Sequence, residues 1–180
     1  MGFMSEENIR KESLTAVAGR MLTAARTAPK GRGVDNLTAG YIFREDIEKV
    51  AAEMKALVEK GEAPGFFKRD ADCILKSDIV VLMGTGISPL GINCGLCGFK
   101  TCSEKDEHPG IPCSFNTGDL GIAIGSAVSV AMDARADNRI MYSVGTVAVN
   151  MGLMGPDVKI AYGIPLSASG KNPFFDRKQG

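Results

Sequence analysis

From Gly91 to Cys113 the chain reads GINCGLCGFKTCSEKDEHPGIPC, and this stretch limits what the whole molecule can be. Four of its five cysteines fall within twenty residues at the spacing C-x2-C-x4-C-x10-C, with Gly91, Gly95 and Gly98 beside them. Thiolates held this close repel one another and persist together only with a cation or a cationic cluster between them. Glycines let the backbone turn tightly, so that its N–H groups can point at sulfur. Lys100 and Lys105 are placed to offset part of the remaining negative charge. Pro109, Gly110 and Pro112 stiffen the return of the chain to Cys113.

Spacing alone leaves more than one metal open. C-x2-C is also half of a zinc knuckle, but zinc ribbons usually repeat the short pair, and here a longer step and one distant cysteine follow. The pattern leans toward iron–sulfur without matching the bacterial ferredoxin run that ends in C-P, or the plant-type order. A disulfide framework fits poorly with an odd number of cysteines and with an N-terminus, MGFMSEENIRKES, that is acidic and polar where a secretory leader is basic and then apolar. Thiols that are redox-active or inert remain the blander alternative.

CGLCGFKTC followed by a later cysteine resembles the small four-cysteine iron–sulfur domain of anaerobic electron-transfer and corrinoid proteins. The whole chain resembles the prokaryotic ferredoxin-domain-containing proteins, a family of unknown function. The resemblance implies a [4Fe-4S] cluster ligated by Cys94, Cys97, Cys102 and Cys113, and it implies no substrate.

At 180 residues and 44% hydrophobic content the chain suffices for one well-filled core, so residues 1–180 are expected to form a single domain with a cysteine-rich loop, 88–116, inside it. Lys plus Arg and Asp plus Glu number 21 each, a balance that gives no support for a nucleic-acid or membrane-surface partner. The apolar stretch from Leu120 to Met132 is too short and too interrupted by glycine and serine to span a bilayer. A cytoplasmic location is the consistent expectation.

Ser5, Glu6 and Glu7 read as a helix start. Leu14, Val17, Ala18, Met21, Leu22 and Ala25 then recur as one buried helical face, ended near Ala28 by Pro29, Gly31 and Gly33. The exit loop carries Arg26, Lys30 and Arg32, which could hold a phosphate or an anionic ring, or could simply complement the helix dipole in solvent. A strand is expected over Leu37–Phe43 and a helix from Arg44 to Gly61, with EAPGFF as a loop. Cys73, beside Ile74 and Leu75, reads as a small buried hydrophobe. IVVLM, residues 79–83, reads as a central strand that feeds the cysteine loop. From Thr117 a helix apolar on nearly every face follows, in which Gly121, Gly125, Ser126 and Ser129 allow close approach of another helix. Asp137 or Asn138 is expected to cap a further helix that buries Ile140, Val144, Val147, Ala148 and Met151 and ends at Gly152. Val158–Tyr162 reads as the last strand, and the tail from Ser167 must dock or stay loose.

The order helix, AARTAP loop, strand, helix, strand, buried helix, AVNMGL, strand, GIP resembles the flavin-dependent nitroreductases. Ala24, Ala25, Ala28 and Pro29 match that family's segment near the flavin ring. Gly152 and Leu153 match its Gly-Leu helix end, and Gly163, Pro165, Lys171 and Arg177 match its Gly-x-Pro and following basic residues. The chain departs from the pattern at Lys30, where the family has serine, and at Gly33 and Asp35, near its flavin-contacting Asn and Gln. The resemblance implies an α+β fold, nitroreductase-like helices around a central sheet, with a cysteine-rich cluster-binding loop. It also implies an intertwined homodimer that would give the Leu120–Met132 helix a partner. If FMN binds, Arg26, Lys30, Arg32 and Arg177 are the cations for its phosphate and ring.

Two functions follow as expectations. One is an iron–sulfur redox protein, exchanging electrons with a partner protein or a small-molecule acceptor and coupled, if FMN is present, to a flavin in an oxidoreductase. The alternative is a non-enzymatic module in which zinc or a cluster staples the loop for binding or redox sensing. His108, the only histidine, is expected to be a solvent-facing loop residue, and one histidine supports no Ser-His-Asp constellation.

Overall fold

A computed structural model describes residues 2–176. Its organising element is β2, Ile79–Thr85, in which every residue is buried. β-Branched and long aliphatic side chains fill both faces of this strand, a pattern that demands apolar cover above and below. β1 (Leu37–Phe43) pairs antiparallel on one side, with Tyr41 opposite Val81. β4 (Ile160–Ser167) pairs antiparallel on the other, with Ile164 opposite Val81. The two-residue β3 (Asp137–Asn138) closes the far edge, giving the order β1-β2-β4-β3.

Helices cover the two faces as separate layers. On one, α1 (Glu6–Thr27) and α5 (Ser114–Asp133) pack over Ile79, Val81, Met83, Ile164 and Leu166. Alanines 18, 25, 123, 127 and 131 line that layer and let the two helices approach closely. On the other face, α2 (Arg44–Glu59), α3 (Phe66–Ile74) and α6 (Tyr142–Asn150) cover Val80 and Leu82. Strand alternation thus sends odd residues of β2 to one core and even residues to the other. The tail docks on the second core, where Phe174 is fully buried. Among the described residues no helix is long and apolar enough to cross a membrane.

Several boundaries differ from the sequence expectation. Phe66 and Phe67, read as loop, begin α3, because Phe67 buries into the second core. Asp137 and Asn138 do not cap a helix. They pair with Ser167 and Leu166 of β4, and Met141 then exchanges two 2.9 Å backbone hydrogen bonds with Gly163. The extended pairing delays α6 to Tyr142 and leaves Ile140 exposed. β4 likewise starts two residues later than Val158–Tyr162 and ends five residues further on, since Thr85 of β2 pairs with Ile160 while Ile79 of β2 and Asp137 of β3 pair with Leu166 and Ser167.

α6 reaches β4 at unusually close range. A Cβ on Gly145 would sit 2.0 Å from the Ala161 carbonyl oxygen, and one on Gly163 would sit 2.3 Å from Val144 Cγ1. Neither site has room for a side chain, and at Gly145 the obstacle is backbone that cannot swing aside. Gly145→Ala is therefore expected to destabilise the fold by about 3 kcal/mol, the upper end for overpacking. Urea unfolding monitored by circular dichroism measures it, with Gly121→Ala on the open face of α5 as a near-neutral control.

Candidate metal centre

β2 ends at Thr85 and α5 begins at Ser114, and the cysteine loop spans the gap between them. Its mouth is held by the Ser88 N–H, which donates to Asn116 Oδ1 at 2.8 Å. Inside, Gly91, Gly95 and Gly98 all adopt positive φ, and so does Asn93 at 54°. This is the left-handed region that glycine enters freely and asparagine tolerates. Gly98 N–H donates to the Gly95 carbonyl at 3.0 Å, closing the turn that carries Cys97.

Asn93 and Cys102 lock the loop reciprocally. The Asn93 N–H donates to Cys102 Sγ at 3.4 Å, while the Cys102 N–H donates to Asn93 Oδ1 at 2.7 Å. Cys102 opens the short helix α4 (Cys102–Asp106), and Thr101 Oγ1 caps it by accepting from Glu104 N–H at 3.1 Å. Glu104 Oε2 reaches back to the Lys100 N–H at 3.0 Å, a variant of the capping box. A sulfur that already receives a backbone N–H is electrostatically prepared to carry negative charge.

All four cysteines of the motif line one tight pocket, with only about 10 Å³ of space open to a water-sized body. Cys94 is exposed, Cys97 and Cys102 are half-buried, and Cys113 is buried at its base. Apolar walls come from Leu90, Ile92, Phe99 and Phe115. Lys105 also lines it, with only 2% of the residue exposed. Lys100 is exposed, so the two lysines expected to share a role are separated by burial. Among the described residues no three His, Cys, Asp or Glu side chains are grouped as a single metal ion requires. His108 is exposed and stacks on Phe99 with ring centroids 5.0 Å apart, as a loop residue outside the cysteine cavity.

The basic loop after α1 lies beside this cavity, and its cations are bonded to the chain's own oxygens, with the Lys30 side chain buried and Arg26 and Arg32 exposed. Lys30 Nζ donates to the carbonyls of Ala25, Arg26 and Ala28 at 3.2, 2.6 and 2.8 Å, completing the end of α1. Arg26 pairs with Asp35 at 2.5 Å and also donates to the Leu37 carbonyl. Arg32, at φ 55°, donates to the Leu90 carbonyl at 2.7 Å and so ties the basic loop to the cysteine loop. The Gly31 N–H is received by both oxygens of buried Asp119 on α5, at 3.1 and 3.0 Å. Arg26, Lys30 and Arg32 are thus brought together, each already anchored on the chain's own oxygens. Arg177 lies outside the described residues. Asp176, just before it, borders a cleft against α3 with Lys76 and Arg139.

Asp119, Asn93 and Asn116 were not singled out by sequence reasoning. An acid in the apolar run of α5 was the available signal for Asp119, because a buried carboxylate needs donors. Cys73 is buried as expected. Burial, reinforced by the charge of Asp70, pushes its thiol up and leaves it poorly nucleophilic.

Burial opposes ionisation of Asp35, but the Arg26 hydrogen bond, the Leu37 N–H and the charges of Arg26 and Lys30 outweigh it and hold the carboxyl below its ordinary value. A depressed carboxylate adds stability above its unfolded pKa and loses it as pH falls through the folded one. Asp35→Asn is expected to lower stability by about 1 kcal/mol at pH 7. The gap from wild type should close on acidification through the carboxylate range. Thermal melts of both proteins across pH check this, and a pH-independent gap would contradict it.

Three comparisons bear on this architecture. A model of the family described as "Uncharacterized protein containing a ferredoxin domain (DUF2148)" matches residues 109–177, a span that includes Cys113 but not the other three cysteines of the motif. An uncharacterized protein of Archaeoglobus fulgidus is 41% identical over 182 residues, covering 97% of each chain. Among solved structures, a nitroreductase with bound FMN from Desulfitobacterium hafniense superimposes with TM-score 0.60 at 13% identity, covering 94% of this chain and 81% of that one. A BluB-like flavoprotein from Clostridium difficile gives TM-score 0.54 at 17% identity, covering 99% and 85%. Likeness at this level of identity speaks to fold. The chain belongs to the family of uncharacterized proteins containing a ferredoxin domain, and its α+β architecture is that of the nitroreductases.

Proposed function

We propose that the protein is an iron–sulfur redox protein whose cluster is held by Cys94, Cys97, Cys102 and Cys113. The observation that carries this reading is the convergence of all four sulfur-bearing residues on one cavity, with a buried cation in its wall. The donor set fits the group. Thiolates are the usual ligands of such clusters, a backbone N–H already points at Cys102 Sγ, and apolar walls limit water on one side. When bound, a cluster of this kind supplies a one-electron carrier. The chain's own contribution is to orient the thiolates, shield them and set the local charge.

Cys94 is the exposed cysteine of the cavity and marks the side from which an electron partner can approach. A separate open cleft adjoins the loop, bordered by Asn36, Ser88, Pro109, Pro112, Asp157 and Lys159. The anchoring of Arg26, Lys30 and Arg32 on protein oxygens does not favour them as a ready site for a flavin phosphate. The odd cysteine count supports a reducing, cytoplasmic setting. The exposed face of α5, with Gly121, Ile122, Gly125 and Met132, is where a second copy of the chain would pack.

Anaerobically purified protein is expected to be coloured, to contain iron and acid-labile sulfide, and to bleach on reduction. Cys97→Ser should lose most of that iron while far-UV circular dichroism stays near wild type, because both cores lie outside the loop. Stoichiometric zinc in a colourless preparation would favour the stapled binding or sensing module instead. A folded, metal-free protein would end both.

A further inference from the structure

We propose that Lys105 is the internal counter-charge of the cysteine cavity, stabilising the loaded protein and destabilising the empty one; this rests on the cluster reading above. A lysine this deeply buried needs a compensating anion, since removing an ammonium from water is unfavourable unless it is paired. Within the described residues the carboxylate recorded beside its Nζ is that of Asp106, at 3.9 Å, and Asp106 is itself largely exposed. That distance exceeds hydrogen-bond range, and a solvent-screened partner compensates little.

The position is fixed by local structure. Lys105 follows Cys102 by three residues on a capped helical turn, which sets both side chains on one face. The Lys105 N–H donates to the Thr101 carbonyl at 3.2 Å, and its carbonyl accepts from the His108 N–H at 2.9 Å, so the backbone cannot easily carry the side chain out to solvent. The residue lines a cavity whose other polar members are the four cysteines with Asn93, Thr101 and Ser114. Four ligating thiolates give a cluster net negative charge, which supplies the missing anion. The same cation opposes further withdrawal of negative charge from the site, so it makes gain of an electron easier.

The charge therefore acts with opposite sign in the two states. Without the cluster the ammonium has only a distant, solvent-screened carboxylate beside it; with the cluster it meets a net negative charge. Lys105→Met keeps length and flexibility while removing the charge. The variant apoprotein is expected to melt several degrees above wild-type apoprotein. The loaded variant is expected to lose iron to a chelator several-fold faster than wild type, and its midpoint potential, titrated with dithionite as the one-electron donor, is expected to shift negative. Lys105→Arg should retain the wild-type potential more closely than Lys105→Met, and Lys100→Met, removing an exposed charge, should change it least. Wild type that takes up no iron sinks the cluster reading itself. Wild type that loads normally, beside a Lys105→Met protein with unchanged potential and chelator rate, or with a less stable apoprotein, overturns the role of Lys105 alone.

Discussion

Burial of β2 on both faces is the constraint from which the rest of the structure follows. A seven-residue strand with no solvent-facing side must have sheet neighbours on each edge and helices on each face. α1 and α5 cover one side, and α2, α3 and α6 the other. That leaves the strand's ends as the place where irregular backbone can meet water without stranding its polar groups. The cysteine loop emerges at one such end, and α5 takes the chain straight back into the core.

The basic loop shows how a charge pattern can look like a ligand site while serving the fold. Lys30 caps the carbonyls that end α1, Arg26 and Asp35 brace the approach to β1, and Arg32 reaches across to Leu90. A helix end leaves several carbonyls without intrahelical partners, and a cation there satisfies them whatever else is nearby. Gly31 completes the junction. A Cβ there would fall 2.7 Å from both Leu90 Cδ1 and Phe115 Cδ1, so the two loops touch only because this residue has no side chain.

Much of the fold was legible where one periodicity ran long enough to average out noise. α1 and α2 could be read from apolar spacing, α5 from a long run apolar on nearly every face, and β1 and β2 from short β-branched or alternating runs. Asp137–Asn138 misled because a residue good at capping helices is also good at edges and turns, and only the neighbouring β4 decides between them. The start of α3 was hidden by a Pro-Gly pair that reads as loop, when Phe67 is drawn into the core. In the cysteine loop the cysteines announced themselves, and the glycines foretold the turns. The difference between Lys100 and Lys105 did not, because burial of a charged side chain is decided by tertiary contacts that charge patterns do not encode.

The bond between the Ser88 N–H and Asn116 Oδ1 has an architectural meaning of its own. It fastens the two stems of the insert where they leave rigid elements, so the span between them forms a nearly closed ring hung on a strand-to-helix junction. The entropy of closing such a ring grows only logarithmically with its length. Lengthening or shortening the stretch between Cys102 and Cys113 would then scarcely disturb the scaffold. A scaffold of this kind can vary the loop it carries over evolutionary time without having to rebuild its interior.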